Sequence, residues 1–468
     1  MIRWKRLLLQ LLLFLGFFPY PAVVNIGNTL GIQMSDVLVV IIVVLTLPMI
    51  LQARSAQAFA ILVLPIVISL GALAFLNEPG DVGLGLRVSI GAAFSLLILP
   101  ASGSLMRHAR LEWLITPVST AILIHTMVGL WQYRAFAQGT FPLLGIFQNT
   151  SFHNLQDIST TYALYVARPF GLFPEPSAMA AALGPWILFL LWYGLRQGAR
   201  GRTKALVAAA AGTLLILLSQ SVYAIFLLPC ALVLLILHRR TSQRRISVLE
   251  LLAWIVAGFG SFLFPILSAG RLSFSTNGSA QGRATSLIEG VMLPFNSIGT
   301  VLFGVGPGQS ANALAAQNNG VAAIYSVVVS VFAEGGFIAL VAMICVWLMC
   351  LRGRPPGYRY VLLFAWVAGI GFTTSYISLD PIWLFLAMML DLEFESEGPP
   401  RNTNFGIGRS RATPDGPGDS AEQGRSVERP GIHAAQRGTS DGSRSSRRSA
   451  CSRIQHGRDP WEQGSSAC

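Results

Sequence analysis

From Leu7 to Leu392 the chain is a series of apolar runs, and that pattern closes most soluble folds to it. The runs are about Leu7 to Val24, Val37 to Leu51, Ala58 to Phe75, Gly85 to Leu99, Trp113 to Tyr133, Ala178 to Leu195, Ala205 to Leu218, Val222 to Leu237, Leu249 to Ala269, Val321 to Leu351, Val361 to Tyr376 and Pro381 to Leu392. A span needs on the order of 20 apolar residues, and several runs are shorter or are broken by Pro, Gly or Ser. With 53% hydrophobic and 12% charged residues, the chain has far more apolar surface than a soluble core of its size requires. The expected fold class is all-α: a polytopic membrane helical bundle with about twelve transmembrane helices.

Two long polar interruptions stand out in this body, about Arg134 to Ser177 and about Arg271 to Gly320. Connections in a compact bundle are mostly a few residues, so long ones are where function concentrates. The basic clusters orient them. The N-terminus, Arg54, Arg107 to Arg110, Arg196 to Lys204, Arg239 to Arg245 and Arg352 to Arg359 fall on one side if twelve spans are counted. That side is expected to be cytoplasmic, which puts both long loops on the other face, away from ATP and nucleotide sugars. The first run follows Arg3, Lys5 and Arg6 and reads as an uncleaved signal anchor.

Residues 1–395 form the expected membrane domain, and 396–468 a different polymer, rich in Arg, Gly, Ser, Asp and Pro. That composition predicts a disordered cytoplasmic tail. The abrupt change and the stray Cys451 and Cys468 fit out-of-frame translation of a GC-rich gene equally well, and no function is placed there. The net charge of +12 lies mostly on the membrane part, in short clusters between apolar runs, which is an orientation signal and not a nucleic-acid footprint. The cysteines show no CxxC or His/Cys spacing, so neither a disulfide framework nor a metal site is expected.

In the first loop, Arg168 is followed by Gly171-Leu172-Phe173-Pro174-Glu175-Pro176-Ser177 directly before a span. The prolines predict an extended entry, Ser177 a helix cap, and Phe170 with Phe173 an interfacial aromatic pair. Arginine offers bidentate hydrogen bonds to phosphate oxygens, which suits a lipid diphosphate. In the second loop, Arg271 and Arg283 are the cations and Glu289 a carboxylate, while Gly304, Gly306 and Gly308 allow positive φ and close approach of N–H groups to an anion or sugar. His153, Asp157, Glu175 and Glu289 are the loop groups able to act as a base, each also readable as a solvated loop residue. Of the charges in or beside spans, Arg87, Asp380 and Glu250 lie near span ends, where snorkelling accounts for them. Glu334 is deeper, beside Gly335-Gly336, where the long run from Val321 is expected to bend. His125 reads as a packed, hydrogen-bonded core residue. No DxD, HExxH, GxSxG or P-loop sequence occurs, which removes support for a nucleotide-sugar transferase, zinc protease or serine esterase.

Four features, in this order, resemble the polysaccharide polymerase and O-antigen ligase superfamily of bacterial envelope proteins over most of residues 1–395. They are Arg168 with the segment to Ser177, the paired short spans joined at Ser219-Gln220-Ser221, Arg283 followed by Phe303-Gly304-Val305-Gly306-Pro307-Gly308, and Asn319 leading into Glu334-Gly335-Gly336. The resemblance implies a bacterial inner-membrane protein with periplasmic loops and both termini cytoplasmic. Its implied substrate is an oligosaccharide repeat unit on polyprenyl diphosphate, with membrane lipid, chain-length regulators and export proteins as partners, and no cofactor or metal. On that implication Arg168, Glu175 and Arg283 are the catalytic candidates, and Arg271, His153, Glu289, Gly304, Gly306, Gly308 and Asn319 the substrate-binding ones. Ligases of the superfamily carry a histidine near the end of the large outer loop. Gln317-Asn318-Asn319 stand there in this chain, which argues for a polymerase and leaves the base open. A ligase and a multi-pass transporter or lipid-linked oligosaccharide flippase are the alternatives.

Overall fold

The structure, a computed structural model, describes residues 2–19, 22–26, 30–75, 81–143, 168–196, 199–221, 223–239, 278–316, 324–352, 357–372 and 378–392. Helix α1 (Ile2–Leu15) stops in a turn closed by the Gly16 N–H on the Leu12 carbonyl. Pro19 and Pro21 follow, and neither can continue a helix. Strands β1 (Ala22–Ile26) and β2 (Leu30–Gln33) then pair antiparallel, Ile26 opposite Leu30 and Asn25 opposite Gly31. The expected first span, Leu7 to Val24, is therefore corrected to a short helix and a hairpin, and the hairpin is an exception to an otherwise helical structure.

Helices α2 (Met34–Ile50), α3 (Arg54–Phe75), α4 (Val82–Leu96), α5 (Ile98–Met106) and α6 (Leu111–Ala137) complete the first half. Helices α7 (Pro176–Leu195), α8 (Arg202–Leu218) and α9 (Ala224–Arg239) follow. After them come α10 (Gly278–Met292), a 3₁₀ turn (Leu293–Asn296), α11 (Ile298–Phe303), α12 (Ser310–Ala316), α13 (Val327–Leu351), α14 (Gly357–Phe372) and α15 (Asp380–Asp391). The second interruption, expected as a loop, is thus largely helical where it is described, and Arg134, expected to open the first, still belongs to α6.

Among the described residues, five segments are long and apolar enough to cross a membrane: Arg54–Phe75, Val82–Met106, Leu111–Ala137, Pro176–Leu195 and Val327–Leu351. Met34–Ile50 and Phe226–His238 are shorter apolar helices. The described residues do not reach the expected twelve spans. The run Leu249 to Ala269 lies outside them, as does the tail, and α15, with 12 residues, rises only about 18 Å against a hydrocarbon core of about 30 Å. The chain is nonetheless a polytopic membrane protein. Helices α2 and α3 expose Val44 at 73% and Val67 at 59%, with Val40, Ile41, Leu45 and Leu64 alongside, a surface that water would penalise and lipid does not.

Helices α7 and α15 form the centre. All twelve residues of α15 are buried, and α7 is buried along most of its length against α8, α9, α14 and α15. Small residues make this possible, because the apolar effect gives no drive between helices in lipid and close van der Waals contact must replace it. Gly212 of α8 sits against Ile187 and Ile122, Gly369 of α14 against the Ala181 backbone, and Gly184 of α7 under the Tyr223 ring. Trp186 and Trp366 donate their indole N–H groups to the carbonyls of Pro381 and Ile382, at 2.9 and 2.8 Å.

Basic helix ends gather at one end of the bundle. Lys5 reaches Met49 at the end of α2, and the Arg54 and Ser55 N–H groups at the start of α3 are held by Asp391 at the end of α15, at 2.7 and 3.0 Å. Arg359 donates to the Met389 carbonyl, and Arg107 to the Gln52 carbonyl at 3.0 Å. The starts of α7, α13 and α15 consequently lie toward the other end. A Cβ on Gly184 would sit 1.9 Å from Tyr223 Cε1, whereas one on Gly91 meets nothing within 4 Å. Gly184→Val is expected to cost roughly 1–3 kcal/mol or more and to cut the folded yield, while Gly91→Ala is neutral or stabilising by up to about 1 kcal/mol. Thermal melting of the detergent-solubilised variants reads both.

Candidate functional site

The segment from Arg168 to Ser177 has no helical hydrogen bonds of its own before α7, so its peptide groups need other partners in an apolar surrounding. Gln132, a polar residue in α6, supplies them. Its Oε1 accepts from the N–H groups of Phe170 and Gly171 at 3.1 and 2.8 Å, and its Nε2 donates to the Gly171 carbonyl at 2.7 Å. His125, one helical face below, accepts the Leu172 N–H at Nδ1 (3.2 Å), which leaves the proton on Nε2 to be donated to the Phe17 carbonyl at 2.8 Å. Its ring lies between Phe18 and Phe173, with centroids 5.1 and 4.7 Å away. Gly171 turns here with φ +60°, and a Cβ there would come within 2.8 Å of the imidazole. His125 is thus a packed structural histidine.

Phe170 and Phe173, expected at the interface, are fully buried, Phe170 against Phe136 and Phe141. Ser177 does not cap α7. The helix begins at Pro176 with Glu175 before it in an extended conformation, and the Ser177 hydroxyl donates instead to the Glu175 carboxylate. Across Arg168 to Ser177, the two charged residues are half-buried and the eight others buried. Arg168 is held by its Nε on the Ser219 carbonyl at 2.8 Å. That carbonyl ends α8, at the break Ser219-Gln220-Ser221 before α9, where Gln220 adopts φ +51°. Two features expected separately, the arginine segment and the joint between short helices, are therefore in contact.

The second cluster centres on α13, which Ser326 caps at Val329 N–H (3.1 Å) and which breaks at Gly336 (φ +64°). The break frees the carbonyls of Ala333 and Glu334. Val305 and Gly306 donate their N–H groups to them at 2.9 and 3.1 Å, and the Ser69 hydroxyl of α3 donates to the Glu334 carbonyl at 2.6 Å. The Glu334 carboxylate accepts the Ser310 hydroxyl at 2.6 Å and backbone N–H groups from Gly308 and Ser310. The N–H groups of Gly304, Gly306 and Gly308 are thus taken within the protein, by Thr300, Glu334 and the Glu334 side chain, and are not offered to an anion. All three have positive φ, so their glycine identity is explained by the crossing itself. Beneath it a cavity of about 340 Å³ opens between α3, α4 and α13, bordered by Glu334, Ser69, Ser89, Ser330 and Ser310, with Leu62, Leu96 and Met343 below.

Of the other expected residues, Glu289 is half-buried on α10, beside Gly290, which packs against Ile324 and Val329. Arg283 belongs to α10, with only its backbone among the described residues, and Arg271, His153 and Asn319 lie outside them. Arg87 is exposed, as snorkelling requires, but Asp380 is buried at 2% exposure, which corrects its expected place at the surface. The sequence reading missed Gln132, Ser310 and Ser69. Each is a polar residue inside or beside an apolar run, and that is the signal that could have marked them.

No family model, curated protein or solved structure matches this chain. What the described residues define is the class: a polytopic helical membrane protein with two irregular, internally hydrogen-bonded segments set into its bundle.

A Cβ at Gly304 would lie 2.2 Å from the Glu334 carbonyl carbon, and one at Gly336 2.4 Å from the Leu302 oxygen. Backbone cannot yield as a side chain can, so Gly304→Ala and Gly336→Ala should each prevent the crossing and reduce folded protein severely. Ser310→Ala, which removes one donor, should cost only about 1–3 kcal/mol in a melting experiment.

Proposed function

We propose that the protein polymerises oligosaccharide repeat units carried on polyprenyl diphosphate at the outer face of a bacterial inner membrane, as the sequence resemblance implies. The observation that carries this reading is the pair Arg168 and Glu175. They are the half-exposed residues of an otherwise buried segment, toward the end of the bundle away from the basic helix ends, which the positive-inside tendency makes the outer one. A rigid cation and a carboxylate at a membrane boundary match what the reaction needs.

A hydroxyl of one unit attacks the anomeric carbon of the growing chain. The new C–O bond forms as the bond to the diphosphate breaks, polyprenyl diphosphate leaves, and the hydroxyl proton passes to a base. The energy resides in the glycosyl diphosphate, so the protein's tasks are to orient two sugars, offset developing charge on the leaving group and accept a proton. Arg168 is assigned the diphosphate, with its position fixed through Ser219, and Glu175 the proton, with Ser177 holding its carboxylate. Arg283 and Arg271 are assigned as further clamps, with His153, Glu289 and Asn319 toward the sugars. Membrane lipid, a chain-length regulator and export proteins are the proposed partners.

One observation favours the transporter reading: Glu334 in a helix broken at Gly336 resembles the interrupted helices at transporter sites. A strain lacking the gene separates the two readings. Loss of polymerisation leaves single repeat units on lipid at the outer leaflet, whereas loss of a flippase traps them at the inner leaflet. In the complemented strain, Arg168→Ala is expected to lower high-mass polysaccharide by about 10²-fold or more with the protein still inserted. Normal chain length in that variant would remove the catalytic assignment of Arg168.

A further inference from the structure

Away from both clusters, two carboxylates lie within electrostatic reach of one another at the starts of α2 and α15. Asp36 stands in the first turn of α2 and Asp380 is the first residue of α15, and the two are close enough to interact electrostatically. Asp36 Oδ2 accepts the Gln33 N–H at 2.7 Å. Asp380 receives a hydrogen bond from Ser35, while its Oδ2 is buried and has no partner among the described residues. The Ser35 hydroxyl also lies 3.5 Å from Gln33 Oε1. One O–H cannot serve both Gln33 and Asp380, and the buried Asp380 Oδ2 is the oxygen of the group left without a donor among the described residues.

No described basic side chain offsets it. Helices α2 and α15 pack on α1, α3, α5, α7, α13, α14 and β2. Lys5 of α1 reaches Met49, thirteen residues or about 20 Å along α2 from Asp36. Arg6 stacks over Trp113, and Arg54 of α3 and Arg359 of α14 meet the Asp391 end of α15. Glu334 of α13 is acidic, α5 and β2 carry no charge, and α7 is charged only at its two ends, Glu175 and Arg196. His125 touches the end of α1 but uses both ring nitrogens. The N-termini of α2 and α15 each offer only about half a unit of positive charge, and the C-terminal end of α1, negative in sign, abuts Asp380 at Gly16. A buried carboxylate, Asp380, beside the half-buried carboxylate of Asp36 does not remain ionised in this setting without a positive charge close to it.

We propose that Asp36 and Asp380, with Ser35 and Gln33, bind one monovalent cation, Na⁺ or a shared proton, that joins the starts of α2 and α15. Two carboxylate groups, a hydroxyl and an amide oxygen are hard oxygen ligands, and with Asp36 Oδ2 committed to the Gln33 N–H they offer fewer than the six to eight oxygens that calcium takes. Occupancy would fix α15, whose Trp383 borders the cavity beneath Glu334.

Melting of the full chain in detergent tests this in NaCl against choline chloride at equal ionic strength, at about pH 8 and about pH 6. For a Na⁺ site, wild type melts a few degrees higher in NaCl at the higher pH, and the difference closes on acidification. For a proton site, salt has no effect and wild type melts higher at the lower pH. In either case Asp380→Asn, which mimics the neutralised acid, abolishes the dependence and melts at least as high as wild type in choline at the higher pH, and Asp36→Asn flattens the dependence similarly. The proposal is overturned if wild type responds to neither condition, if calcium alone stabilises it, or if Asp380→Asn melts lower under every condition, as loss of a purely structural acid would dictate.

Discussion

The two irregular segments set into this bundle have to satisfy their peptide groups where water does not reach, and the arrangement around them follows from how that is done. In the entry to α7 the solution is one side chain. Gln132 offers an acceptor to two successive N–H groups and a donor to the carbonyl that follows them, so a single carboxamide substitutes for a missing turn of helix. At the break in α13 the solution is another piece of backbone. The carbonyls released by Gly336 are met by the N–H groups of Val305 and Gly306, and the close crossing excludes a Cβ on either chain.

These two solutions have different consequences. A side chain can satisfy a loop's peptide groups without using its charged side chains, and Arg168 and Glu175 are half-buried while their neighbours are buried. A backbone crossing uses up the groups that might have met a ligand. The glycines from 304 to 308 have the composition of an anion-binding loop, but their N–H groups are spent on holding α11 against α13. Charge placement on the two sides agrees with this division: the arginine of the first segment is half-exposed, and the acid of the second is hydrogen-bonded to Ser310.

Much of the helical layout is legible in the sequence because a membrane demands length and continuous apolarity together. The segments 54–75, 111–137, 176–195 and 327–351 satisfy both. The first run failed because apolarity continues through Pro19 and Pro21, residues that end a helix whatever their hydropathy. The bend at Gly335-Gly336 was readable from run length, but its purpose was not. That purpose depends on Val305 and Gly306, which precede their acceptors Ala333 and Glu334 in the chain, meeting the carbonyls of α13, and on Ser69 arriving from α3. Contacts at such separation leave no periodic trace. The link from Arg168 to Ser219 was hidden for the same reason, although each end of it was conspicuous alone.

Three acids among the described residues, Asp391 and Asp380 buried and Glu334 half-buried, show how such residues can be told apart. Asp391 takes two backbone N–H groups, from Arg54 and Ser55, and so completes the start of α3. Glu334 takes a hydroxyl and two N–H groups and closes the crossing. In both, donors match acceptors, and the charge is spread over dipoles that are themselves fixed, which is the usual form of a structural carboxylate. Asp380 differs in kind. It has one hydroxyl, a bare oxygen and a second carboxylate for a neighbour, an arrangement that raises the energy of the fold unless something positive occupies it. Asp380 and Asp391 are alike in burial and stand at the two ends of the same helix. What separates a carboxylate that holds the fold together from one that waits for a ligand is the count of donors around it.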